Sequence, residues 1–252
     1  MSQIIRFDCG TIHPTGLHVQ ANTYVIVFET NHGMVMIDSG YGIQDFMHPN
    51  LVTRFFTSFV HTPRDPVYCA INQLPKFNVD PHDVKHIILT HMHIDHAGGI
   101  ADFPWAKIHV WEQELLSALH HRGKLGIGYN TSQWKNHDLW QTYNMTNCEW
   151  FGLPAVQLAE FSPEIFLIPT PGHTPGHCMV AFRSENKWIL QTGSAGYPFY
   201  EQDENRQVNA PDWFKFWLMG NHIPRLKKLW LEQNQEIEFL SSHEFRKAEK
   251  ID

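Results

Sequence analysis

The ten residues "THMHIDHAGG" (Thr90–Gly99) constrain this chain more than any other stretch. They follow the apolar run "VKHIILTH" (Val84–His91), whose length and composition predict a short buried strand. Residues two apart in extended chain point to the same side, so His91 and His93 reach one ion together. Asp95 and His96 fall where the chain turns. Gly98 and Gly99 are expected to permit a tight turn and a close backbone approach. A lone histidine is ordinarily structural or solvated. Three histidines and one aspartate within six residues form a metal-ligand constellation, because imidazole and carboxylate are standard zinc donors.

Two further segments repeat this placement. "PTPGHTPGH" (Pro169–His177) follows the apolar "EIFLI", and either His173 or His177 supplies a further ligand. His243 stands in "FLSSHEF", at the end of a last strand. Open α/β sheets usually put their sites at the C-terminal ends of strands. "NTYVIVFE" and "GMVMIDSG" read as β-runs around the hairpin-like "TNHG". "KIHVW", "CMVAF" and "KWILQT" add strands, and "EQELLSALHH" reads as helix. "IPRLKKLWLEQNQ" reads as an amphipathic helix with Pro224 in its first turn. The segment from Ile43 to Pro81 reads as irregular, and its Phe46, Phe55, Phe56 and Phe59 either contact an acyl chain or pack as core.

Strands and helices alternate, and each half runs a buried strand into a histidine-bearing, glycine-containing loop. The expectation is an internally duplicated α/β protein forming one domain over 1–252. Its N-terminal half runs to about 121, a variable aromatic insertion covers about 122–160, and a C-terminal half covers about 161–252.

The 252 residues carry a net charge of −7, which argues against a phosphate-gripping nucleic-acid binder. No apolar run approaches the ~18 residues of a transmembrane helix, so no membrane partner is expected. Cys9, Cys69, Cys148 and Cys178 form no C-x-x-C pair and read as free thiols in a reducing compartment. The start "MSQIIRFDCG" lacks a long apolar signal region, and a cytoplasmic location is expected.

"HMHIDH" resembles the H-x-H-x-D-H signature of the metallo-β-lactamase superfamily, and the resemblance runs over nearly the whole chain. It implies an αβ/βα four-layer sandwich with two metals between the sheets. "MVMIDSG" looks like the early strand ending in a structural aspartate, here Asp38. "HAGG", "TPGHTPGH" and the late "IPRLKKLW…EIEFLSSHEF" are most similar to the N-acyl-homoserine lactonases. On this resemblance His91, His93 and His173 hold a first metal, and Asp95, His96 and His243 a second. Zinc is the implied ion, one or two per chain, with iron, manganese or cobalt as alternatives. The implied reaction is opening of a lactone or related ester by metal-activated hydroxide, with Asp95 passing a proton to the leaving alkoxide. The implied partner is a small-molecule substrate, and a homodimer is among the open oligomeric states.

The chain departs from that pattern at "LQTGSAGY". The family ends this strand in Gly-Asp, the aspartate bridging both metals, whereas this chain has Gly193–Ser194. Tyr197 matches a tyrosine that lactonases use on the substrate carbonyl. A serine hydroxyl is a poor zinc ligand, so weaker metal affinity is expected unless Glu201 or Asp203 substitutes. This motivates a second reading, a catalytically impaired metal-binding member. A glyoxalase II-like thioesterase is a further alternative, and an iron-dependent sulfur dioxygenase is disfavoured because it needs the missing aspartate. "TGSAG" also differs at one position from the serine-hydrolase elbow, with Asp212 and His243 in triad order. That reading leaves the histidine motif unexplained.

Overall fold

The computed structural model describes residues 4–13, 19–62, 64–196 and 212–247. In chain order they form β1 (Ile5–Asp8), β2 (Val19–Ala21), β3 (Tyr24–Thr30), β4 (Gly33–Ile37), α1 (Ile43–Met47), α2 (Leu51–Phe59) and α3 (Ala70–Gln73). Next come β5 (Val84–Ile88), α4 (Ile94–Ala97), β6 (Lys107–Trp111), α5 (Glu112–Leu119), β7 (Trp140–Tyr143), β8 (Cys148–Trp150) and β9 (Leu153–Gln157). The last are β10 (Ile165–Pro169), β11 (Cys178–Arg183), β12 (Trp188–Gln191), α6 (Asp212–Met219), α7 (Ile223–Gln233), β13 (Ile237–Leu240) and β14 (Phe245–Lys247).

Two six-stranded sheets result, ordered β1-β3-β4-β5-β6-β7 and β13-β12-β11-β10-β9-β8, with a small β14-β2 pair. In the first, β4 through β7 run parallel and β1, β3 and β4 antiparallel. In the second only β12 and β13 are parallel.

The layering follows from period-2 side chains. In β3, Val25 and Val27 join Ile5, Phe7, Met36 and Ile87 under helical residues such as Ala70, Ala97 and Ala118. Their neighbours Ile26 and Phe28 face the other way, into a cluster with Ile37, Leu167, Val180 and Phe182 of both sheets. Phe28 stacks on Phe182 there, with ring centres 4.0 Å apart. The outer face of the second sheet, including Phe166, Ile168 and Met179, packs on Leu226 and Leu229 of α7. Each such side chain fully buried is worth about 1.5–3 kcal/mol. The order helix, sheet, sheet, helix is the αβ/βα sandwich.

Two segments differ from their sequence reading. The stretch read as irregular contains α1 and α2. Asn50 caps α2 by accepting the Thr53 N–H at 2.9 Å, and its buried side is threonine rather than aliphatic (Thr53, Thr57), which hides the periodicity. Of its aromatics, Phe46 is buried against Tyr41 and Phe56 is half-buried, whereas Phe55 and Phe59 stack on each other at the surface. The aromatic 122–160 stretch is drawn into both sheets: β7 extends the first, and β8 and β9 the second. All four cysteines are free. No helix among the described residues is long and apolar enough to cross a membrane.

Candidate metal centre

The loops after β4, β5, β10, β12 and β13 converge at one end of the sandwich. Two glycines let them approach. A Cβ on Gly99 would lie 2.5 Å from the Ser39 carbonyl oxygen, and one on Gly98 would lie 2.4 Å from Asp45 Oδ2. Gly98 itself is right-handed helical, so close approach rather than an unusual turn explains these glycines.

The six candidate ligands are buried and fall into two groups. His91, His93 and His173 form one, and Asp95, His96 and His243 the other. Within each, the ligand atoms lie within 4.8 Å of one another. Hydrogen bonds behind the rings fix how the rings are turned. Asp38, at φ +60°, accepts the Thr90 N–H at 2.8 Å, the Thr90 hydroxyl, and His96 Nδ1–H at 2.8 Å. His243 Nδ1 lies 3.0 Å from the Asn22 carbonyl, which can only accept, so that nitrogen carries the proton. His96 Nε2 and His243 Nε2 face each other at 3.1 Å. Asp95 Oδ2 lies 3.6 and 3.5 Å from them.

The first group repeats the device. His173 Nδ1 donates to the Leu218 carbonyl at 2.9 Å, which makes Nε2 an acceptor, 3.2 Å from His93 Nδ1. The Thr90 hydroxyl gives its one proton to Asp38, so it accepts from His91 Nδ1 at 3.1 Å. His91 Nε2 is then bare, buried and without a hydrogen-bond partner among the described residues. Such second partners set tautomer and ring orientation at metal sites.

Burial, with the neighbouring imidazoles, pushes His91 and His173 well below the ordinary imidazole pKa and His93 down to about 3. Burial takes His243 down to about 4 against the pull of Asp95. At His96 burial is outweighed by the carboxylates of Asp95 and Asp38, and its pKa is raised. Gathered imidazoles, four of the five held neutral by burial, fit zinc or a similar divalent ion.

His177 joins neither group. Its Nε2 accepts the Ser194 N–H at 2.9 Å, and its Nδ1 lies 2.9 Å from Thr170 Oγ1. Ser194 sits in the turn after β12, with Gly193 at φ +56°. Its hydroxyl is buried and has no partner among the described residues, so none of the described imidazoles is placed to activate it as a nucleophile. Tyr197, Glu201 and Asp203 lie outside the described residues, as does the side chain of Asp212.

The sequence reading passed over Thr90 and Glu114. Thr90 carries the tautomer of His91. Glu114 was read as one polar residue of a helix, yet its carboxylate is buried. No local pattern marks it, since Glu114 shares the buried face with Ser117 and Ala118 while Leu116 and Leu119 are exposed.

A four-layer sandwich with two donor groups of this kind defines a protein built to hold metal at the strand ends. The chain belongs to the metallo-β-lactamase superfamily, whose family model matches residues 17–239. It is 32% identical over 197 residues to a probable metallo-hydrolase of Mycobacterium tuberculosis, covering 77% of this chain and 63% of that protein. It is 31% identical over 137 residues to an N-acyl homoserine lactonase of Rhizobium radiobacter, covering 54% of this chain and 50% of that one. In structure it is similar to an N-acyl homoserine lactone hydrolase solved with N-hexanoyl-L-homoserine at its catalytic metal center. That likeness has a TM-score of 0.67 at 21% identity and covers 94% of this chain and 91% of the other.

Proposed function

We propose that this protein is a metal-dependent hydrolase that opens a lactone or a related ester. The observation that carries the reading is the gathering of five buried imidazoles and one carboxylate into two groups of three, with rings turned by the partners behind them. Zinc is the ion these donors suit, held by His91, His93 and His173 and by Asp95, His96 and His243. When bound, it supplies a Lewis acid for a carbonyl and lowers the pKa of water to about 7.

The chain's own residues supply the rest. The Asp38 carboxylate and the Leu218 and Asn22 carbonyls hold the rings, so no reorganisation is needed when charge develops. Asp95, the sole carboxylate in the two groups, is the proton carrier to the leaving alkoxide. Tyr197, three residues after Ser194, is the proposed donor to the carbonyl oxygen. The lactonase relatives make N-acyl homoserine lactones the first substrates to test.

A second reading rests on Ser194, whose neutral hydroxyl stands where the resemblance expects an aspartate. It proposes a member whose metal content and rate are reduced. One experiment separates the two. Untagged protein is analysed for metal, then assayed metal-replete on lactones, esters and thioesters beside His93→Ala. The hydrolase reading expects turnover that the variant loses by more than the ~100-fold upper end of outer-partner effects. It fails if replete protein and His93→Ala are equally inactive on every substrate.

A further inference from the structure

Besides the ligands themselves, one buried charged side chain touches every loop that supplies the three-histidine group. Glu114 Oε1 accepts the Met92 N–H at 2.8 Å, between His91 and His93. The same oxygen accepts the Tyr129 hydroxyl at 3.2 Å, and the Tyr129 ring lies 5.1 Å from that of His93. Tyr129 also bridges His93 through the main chain. Glu114 Oε2 accepts the Gly176 N–H at 3.0 Å, three residues after His173. Gly176 is packed so closely on the first turn of α5 that an added Cβ would meet the Glu114 nitrogen at 2.1 Å. A carboxylate accepts at both oxygens and has no competing donor. Burial raises its pKa, and the Met92 and Gly176 N–H groups work against that rise.

We infer that Glu114 is the positioning residue of the His91, His93 and His173 group, clamping its two ligand loops to one helix as Asp38 orients the Asp95, His96 and His243 group. Asp38 reaches the three-histidine group as well, but only through Thr90 and His91. Asp38 acts on a ligand ring. Glu114 acts on main-chain N–H groups beside the ligands and sets the spacing between loops that are otherwise 80 residues apart in sequence (His93 to His173). The inference rests on the metal reading proposed above.

The test isolates each group. In a His243→Ala background only the three-histidine group is complete, and in a His91→Ala background only the other is. Glu114→Gln is introduced into both, and zinc affinity is measured by competition with a chromogenic chelator. The Co2+ visible spectrum serves as the signature of ligand geometry. The amide presents an NH2 to one of the two main-chain N–H donors and releases that loop. In the His243→Ala background the expected loss is about 10–100-fold, with an altered Co2+ spectrum. In the His91→Ala background the change expected for an independent site is less than about twofold. Should Glu114→Gln fail to fold in chelator, Glu114→Asp is measured in its place. It keeps the charge but is too short to hold both loops.

Equal weakening in both backgrounds would mean general loosening and overturns the inference. So does an unchanged three-histidine affinity. Wild-type protein that takes up no zinc is a separate result: it overturns the metal reading, and this inference with it.

Discussion

Two histidine pairs in this molecule look alike by distance and differ in kind. His96 and His243 face each other at 3.1 Å at the strand ends. His86 and His109 face each other at 2.9 Å on the first sheet, beside Phe161. In the second pair the protons close. The Tyr143 hydroxyl lies 2.8 Å from His109 Nδ1, and a single proton between His109 Nε2 and His86 Nδ1 completes the chain in either direction. In the first pair both Nδ1 protons are committed outward, to Asp38 and Asn22. Their inner nitrogens then meet beside the Asp95 carboxylate, where a cation can be the third party. The partners behind the rings, and not the nitrogen separation, distinguish a metal site from a hydrogen-bond chain.

The sharpest way to break that comparison is to remove one ring from each pair. His243→Ala should lower zinc affinity at the Asp95 group by more than about 100-fold, beyond the range of outer-partner losses. His109→Phe should leave zinc affinity unchanged in the same titration. It should instead cost about 1–3 kcal/mol of stability, because Tyr143 and His86 lose a buried partner. Zinc lost on His109→Phe would mean that the two pairs are not different in kind.

A smaller effect tests the neutral hydroxyl of Ser194, in the turn after β12. Ser194→Asp adds an anion where Asp95 is the only carboxylate among the six donors. Zinc affinity should rise about tenfold, or ~1.4 kcal/mol. In chelator the same substitution should lower the melting temperature, since a second buried carboxylate then lacks a counter-charge. Opposite signs with and without zinc identify an electrostatic cause. A shift of the same sign in both states would mark Ser194 as a packing position.

Much of this was legible in the sequence, for identifiable reasons. Alternation in "YVIVFET" separates the two faces of β3 because extended chain has a strict period of two. The donors of "HMHIDH" are legible because nearly the whole of one loop is committed to chemistry. What stayed hidden depends on contacts between distant segments. Thr90 fixes a tautomer only because Asp38, 52 residues away, takes its proton. Glu114 lies 22 residues from Met92 and 62 from Gly176, and no local pattern joins them. His177 belongs to the same motif as His173, but only the fold shows that its Nε2 is spent on the Ser194 N–H. The helix at Leu51–Phe59 escaped notice because it buries threonines while Leu51 and Phe55 stand exposed.

The mildest prediction concerns acid. Burial first, then Lys107, pushes His86 down to about 4, and burial with His86 pushes His109 down to about 3. Both titrate near 6.5 when unfolded, so between about pH 4 and 6.5 the unfolded chain binds more protons than the folded one. Stability therefore rises with pH across that window and falls as pH drops through it. Asp45 works in the opposite sense. Burial raises it to about 7 despite the Gly42 N–H and the Thr53 hydroxyl, so the folded chain is the one that holds the extra proton between about pH 4 and 7. Urea midpoints of chelated protein at pH 7 and 5 read the balance. His109→Phe should make the midpoint less sensitive to acid, and Asp45→Asn should make it more so. The donor groups add a proton-linked loss of their own, which zinc at pH 7 suppresses and a chelator restores. If His109→Phe leaves the acid slope unchanged in chelator, the His86–His109 chain is not neutral in the fold, and its contrast with the metal pair is lost.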